Sequence, residues 1–316
     1  MIAGGNSTKL IGTENWGQSL STVEVLMEDL ETIKLSNLPI ENYLSTMSLS
    51  NGTILLCGGS GGLREMRKCI QLDRGTWKDH STLNRTRTSH SAVATQTATF
   101  LFGGIDFDIY LREAVYGFDP ALKSLKSYEY LPNNSNTWLM GKNEIPRGFE
   151  DGFAIASKCG KKIWLIGGFG TEKRILSFNV QDHTFQELPS QLNVERREPR
   201  CAFIPSTNKI MITGGCTTPD WFSDSTEIFD ADDESVTMAN PMNVKRAGHG
   251  LGTVTINGED RLAVFGGASG RFTFVDSVEL YNTKTLQWET TTIRLKEPKS
   301  LFAFLEVKLE DILTMI

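Results

Sequence analysis

A short apolar run ending in two glycines occurs six times in this chain, and that repetition limits the fold more than any other feature. The runs are MIAGG (Gly4, Gly5), LLCGG (Gly58, Gly59), FLFGG (Gly103, Gly104), WLIGG (Gly167, Gly168), MITGG (Gly214, Gly215) and AVFGG (Gly266, Gly267). Successive first glycines lie 54, 45, 64, 47 and 52 residues apart. A period near 50 residues marks a chain built from copies of one supersecondary unit, not from one layered core.

The surroundings of each glycine pair repeat as well. An extended segment precedes it, as in SHSAVAT (89–95), GFAIASK (152–158), RCAFIP (200–205) and HGLGTVTI (249–256). A loop follows, then an alternating apolar strand: STVEVL (21–26), KCIQLD (68–73), AVYGFD (114–119), RILSFNV (174–180), STEIFD (225–230) or DSVELYN (276–282). A turn then leads to a last strand, with an aromatic residue at Trp77, Trp138, Phe185 and Trp288. Short period-two segments between turn signals predict four antiparallel strands per unit, a to d. The best helical candidate, LREAVYGF (111–118), falls on strand c of this register. Four-stranded sheets repeated six times predict an all-β, six-bladed radial propeller. The expected repeats are 1–38, 39–83, 84–143, 144–194, 195–242 and 243–294 of a single domain, 1–316. SLFAFLEVK (300–308) is expected to close the ring as strand a of the N-terminal blade. LEDILTMI, after it, is unassigned.

The pattern resembles the kelch repeat, within the galactose oxidase/kelch-like superfamily, over essentially the whole chain. The resemblance rests on the double glycine, the late aromatic residue, and an Arg followed three residues on by His (Arg87 to His90, Arg246 to His249). In the same register Arg147 and Arg197 are followed by Glu150 and Arg200, so the His is not kept everywhere. No BTB or BACK segment accompanies the repeats.

In such a meander the b–c loops and d–a connections share one face, and loops on a rigid scaffold usually carry binding. That face is expected to present Trp16 and Trp221, the arginines Arg87, Arg147, Arg197 and Arg246, and Asn6, Ser60, Asp106 and Phe169 just after glycine pairs. The resemblance implies the same, since cullin-adaptor kelch domains bind ligands there. Taken singly, each Arg reads first as a brace between neighbouring blades, with a shared ligand role for several of them as the alternative. The 64-residue spacing is ascribed to an expanded c–d connection, residues 119–136, on the opposite face.

Chemistry-bearing constellations are sparse. The four histidines are 80, 90, 183 and 249; His90 and His249 belong to Arg-x-x-His, so the copper chemistry of related oxidases is the weaker reading. Asp230, Asp232, Asp233 and Glu234 fall in a c–d turn, where Asp bonds its own backbone, and lack an EF-hand's glycine and distant Glu. GGSGG (58–62) opens no helix and makes no phosphate loop. No metal or cofactor is expected, and no Ser-His-Asp or Cys-His set converges.

Cys57 and Cys69 flank one hairpin, and Cys201 and Cys216 another, so two disulfides are expected and Cys159 is left over. The sequons at Asn6, Asn51, Asn84 and Asn133 all fall in expected loops, where glycans can sit. The LLCGG…RKCIQLDRGTW segment also resembles extracellular kelch/galactose-oxidase-like propellers of invertebrates. Together these favour an extracellular, secreted protein over a cytoplasmic one. With 38 acidic and 32 basic side chains the net charge is −6, which argues against nucleic acid, and no apolar run reaches the ~18 residues of a membrane span. The function expected is non-enzymatic capture of a protein or peptide on the b–c/d–a face. A galactose-oxidase-like carbohydrate-active enzyme and a substrate-receptor fragment of a cullin-type ubiquitin ligase adaptor are the alternatives.

Overall fold

The computed structural model describes residues 36–39, 46–50, 52–59, 67–106, 124–217 and 220–306, and the backbone alone of five short strands before residue 35. Those five are β1 (Ile2–Ala3), β2 (Asn6–Ser7), β3 (Gln18–Ser19), β4 (Val23–Leu26) and β5 (Thr32–Lys34). Then follow β6 (Thr46–Ser50), β7 (Thr53–Cys57), β8 (Lys68–Asp73) and β9 (Thr76–Thr82). The next set is β10 (Ser91–Ala94), β11 (Ala98–Phe102), β12 (Tyr128–Pro132) and β13 (Leu139–Met140). After it come β14 (Phe153–Ala156), β15 (Lys162–Ile166), β16 (Ile175–Asn179) and β17 (Phe185–Glu187), then β18 (Arg200–Phe203), β19 (Lys209–Thr213), β20 (Thr226–Asp230) and β21 (Val236–Ala239). The last are β22 (Gly250–Ile256), β23 (Glu259–Phe265), the small hairpin β24 (Ala268–Gly270) and β25 (Thr273–Phe274), then β26 (Ser277–Asn282), β27 (Gln287–Arg294) and β28 (Ala303–Phe304). The described residues contain no helix, and so none long and apolar enough to cross a membrane.

The architecture is a β-propeller of antiparallel four-stranded sheets. Five blades are built from strands in chain order: β6–β9, β10–β13, β14–β17, β18–β21, and β22-β23-β26-β27. That corrects the expectation of six equivalent blades. The chain ends instead supply a spliced sheet, β28-β1-β4-β5, whose closing ladder sets Ile2 opposite Phe304 and Ala3 opposite Ala303.

Strand b of each blade is apolar on both faces because a blade is packed on both sides. In β15, Ile163 and Leu165 join Phe100, Phe102 and Phe178 in one cluster. Trp164 and Ile166, pointing the other way, join Ile210, Ile212 and Phe229 of the next blade. Period-two geometry thus divides one strand between two interfaces. The pattern recurs in β23, whose Val264 packs with Met211 and whose Phe265 packs with Phe302 of the closing segment.

One blade differs from the sequence expectation. Tyr128–Pro132, inside the supposed c–d expansion, is the third strand and pairs with β11, setting Phe102 opposite Tyr128. The expansion therefore belongs to the b–c connection, between residues 106 and 124. The segment 114–119, expected as strand c, lies outside the described residues. Both stretches alternate apolar and polar side chains, and only pairing with β11 separates them.

Candidate functional site

The d–a connections are fixed by a repeated buried brace. Arg87, Arg196 and Arg246 are wholly buried, and each guanidinium meets a wholly buried carboxylate: Glu129 at 2.9 Å, Glu227 at 3.0 Å and Glu279 at 3.0 Å. Arg196 also donates to the Gly214 and Ser225 carbonyls at 2.7 and 3.0 Å, so its charge is paired and its donors are used, as burial demands. The carboxylate holds the connection itself: Glu227 accepts from the Asn193 and Val194 backbone and from Asn193 Nδ2. Meanwhile the Arg196 carbonyl accepts from Gly168 of the preceding blade at 2.9 Å. One residue thereby ties two blades.

That contact explains the glycine pairs. Gly214 and Gly215 have φ of 54° and 95°. A Cβ on either would stand 2.4 Å from the carbonyl of Arg246 or Arg197, so only glycine fits.

The brace corrects the expected register. Its Arg position is Arg196, not Arg197, and in the blade before it Phe149 takes the place, since Gly104 donates to the Phe149 carbonyl. Leu176, in the same buried cluster as Phe149, stands where three other blades carry Glu: it faces Leu165 as Glu129 faces Leu101, while the β6–β9 blade has Ile70 at this register, opposite Leu56. The ion pair has been exchanged whole for an apolar one. Arg147 is exposed and Arg197 half-exposed, so neither is a brace. The usable sequence signal was N-x-x-R (Asn84, Asn193, Asn243) followed by S-x-E (Ser127, Ser225, Ser277), three copies of each.

Two residues beyond each brace position the backbone turns left-handed. Ser89, Asp151, Glu198, Gly248 and Leu301 have φ between 53° and 58°, a region uncommon for side chains other than Asn and Asp. They form a collar about the axis: Asp151 N donates to Ser89 O at 3.0 Å, Glu198 N to Asp151 O at 2.5 Å, and Leu301 N to Gly248 O at 2.9 Å. Within the collar lies a cavity of about 100 Å³, walled by the first residues of the inner strands, among them His90, Phe153, Arg200 and Phe302.

The electrostatics of this mouth are specific. Asp151 pairs with Arg197 at 3.1 Å, and the Arg197 guanidinium lies over Phe169 at 4.5 Å, a cation–π geometry. Burial, and then the neighbouring Asp151 carboxylate, push the Glu198 carboxyl up to about 7. Burial and the Arg87 charge press His90 down to about 3, leaving it neutral. Its Nε2 meets Thr46 Oγ1 at 2.8 Å, and His249 meets Thr213 at the same distance.

The remaining expected site residues scatter. Trp221 is 71% exposed, and Phe272 and Phe169 are also exposed; all three follow glycine pairs, on b–c loops of three successive blades. Asp106 is buried and accepts from Thr86 at 2.5 Å. Trp16, Ser60 and Asn51 lie outside the described residues, and Asn6 is described only as backbone in β2. Of the two expected disulfides, Cys57–Cys69 forms, the cysteines facing each other across β7 and β8. Cys201 and Cys216 are free, because the β18–β19 register sets Cys201 opposite Ile212, four residues short of Cys216, which lies opposite Arg197 instead. Both amide donors of Asn84 are engaged, with Glu129 and with the Trp138 carbonyl, so this sequon is part of a brace. Among the described residues Asn133 Nδ2 bonds the Gln96 carbonyl alone.

No protein-family model matches this chain, and a search of curated proteins finds no match.

Proposed function

We propose that this chain is a non-enzymatic binding module, a kelch-type propeller in which the spliced terminal sheet serves as sixth blade. In this reading a protein or peptide is held on the b–c/d–a face. One observation carries it: Phe169, Trp221 and Phe272 stand exposed on successive b–c loops. Exposed aromatics beside arginines are the composition of interaction hot spots, and nothing in the scaffold requires a tryptophan 71% exposed. Asn133 and the Cys57–Cys69 disulfide support an extracellular setting, which the mass change on reduction and deglycosylation tests.

Replacing Arg147 and Trp221 together with alanine tests the reading. Partner capture by the purified protein should fall at least about tenfold, while the melting temperature stays within about a degree, since neither side chain packs in the core. Capture that persists while melting falls would assign both residues to the scaffold.

A further inference from the structure

We propose that the axial cavity seats a neutral carboxamide, the side chain of an Asn or Gln presented by a bound peptide, with Arg200 donating to its oxygen and Glu198 accepting from its nitrogen. The inference rests on the reading of this face as the binding face and names what the face would recognise.

Size comes first. About 100 Å³ is less than the ~150 Å³ that accommodates a benzene ring, so the guest is one side-chain head and not a sugar ring. The wall then sets the chemistry. Arg200 spends one donor on the Pro199 carbonyl at 2.9 Å and lies 5.8 Å from the centre of the Phe153 ring. It lines the cavity and forms no ion pair among the described residues. Glu198 lines the same cavity, and among the described residues its carboxyl has no hydrogen-bond or ion-pair partner. The other charged groups are committed: Asp151 to Arg197, and Arg197 to Phe169 as well. His90 is held by Thr46.

Above pH 7, where Glu198 is ionised, the charges cancel, two carboxylates against two guanidiniums. An ammonium guest would pair with Glu198 but face Arg200; a carboxylate would pair with Arg200 but face Glu198 and Asp151. Each brings an unbalanced charge into a poorly solvated space. A carboxamide is donor and acceptor at once and carries no charge. Phe153 and Phe302 offer apolar wall for its methylenes, and the collar holds Glu198 in place before the guest arrives, which lowers the cost of binding.

The test uses three blocked amino acids with identical backbones: the N-acetyl methylamides of glutamine, glutamate and lysine. Each is titrated against the whole protein by saturation-transfer NMR at pH 7.5. The glutamine compound should bind at least about fivefold tighter than the others, and Glu198→Ala and Arg200→Ala should each weaken it about tenfold. Preference for the glutamate compound would make the cavity an anion seat, and preference for lysine a cation seat. Either outcome overturns the inference, as does the absence of signal from all three. If a variant fails to fold, the selectivity of the unaltered protein still decides. Loss of partner capture by the Arg147/Trp221 variant without glutamine selectivity would remove the seat and leave the face.

Discussion

Glu198 holds a left-handed backbone beside another carboxylate, and its carboxyl is pushed from an ordinary 4.5 up to about 7. A carboxyl raised in the folded state binds its proton more tightly there than in the unfolded chain. Stability is therefore lost as pH climbs from about 4.5 through 7, and the loss is complete above that window. The shift corresponds to at most about 3 kcal/mol. Glu198→Gln removes the titration without removing the volume. Its melting temperature should match that of the unaltered protein at pH 4.5 and exceed it by a few degrees at pH 8. Calorimetry at both values checks this, and a difference that does not grow with pH would show that Glu198 is well solvated. None of this was legible in the sequence. Glu198 becomes an axial residue only once Arg196 takes the brace position, and the neighbouring Arg197 imitates the expected spacing.

The brace is the element-scale device, and one blade supplies a natural comparison for it. Three blades bury an Arg–Glu pair with its hydrogen bonds, whereas the β14–β17 blade carries Phe149 and Leu176 at these positions, both buried in one apolar cluster. Removing one partner leaves the other charged and buried, at a cost of about 3–5 kcal/mol. Glu227→Leu should fall in that range by urea unfolding, since it also orphans the Asn193 and Val194 amides. The double change Arg196→Phe with Glu227→Leu copies the apolar solution. It should be more stable than Glu227→Leu alone by at least about 1 kcal/mol, the signature of coupled sites. Additive losses would mean that Arg196 is satisfied by the Gly214 and Ser225 carbonyls without its carboxylate. The sequence announces the charged version through N-x-x-R and S-x-E. The apolar version is silent, because Phe and Leu in a strand-rich chain look like any other core residues. Strand c of the β10–β13 blade was misplaced for a related reason: alternation marks strands but does not say which one pairs with β11.

At the scale of the whole molecule the question is whether the ring is continuous through its spliced sheet. The repeat period made the propeller legible, and the tail segment 300–308 was readable as its closing strand. The axial cavity was not, because it brings together residues as distant as Met47 and Phe304. Closure rests on β28, which touches both neighbours. On one side Phe304 packs on Phe265 at 4.9 Å and covers Gly252, while Glu306 accepts from Thr253 N at 2.9 Å. On the other side Ala303 shares a core cluster with Met47 and Leu56. If β28 links the two, loosening it loosens strands that lie about 200 residues apart in sequence. Phe304→Ala, which costs about 2–4 kcal/mol for a partly buried ring, should raise amide exchange in Gly250–Ile256 and in Thr46–Ser50 together. Phe153–Ala156, across the ring, should keep its protection, because local opening follows cooperative units. Faster exchange confined to Gly250–Ile256 would mean that β28 belongs to one neighbour only, and that the ring is held at that seam by something other than the closing strand.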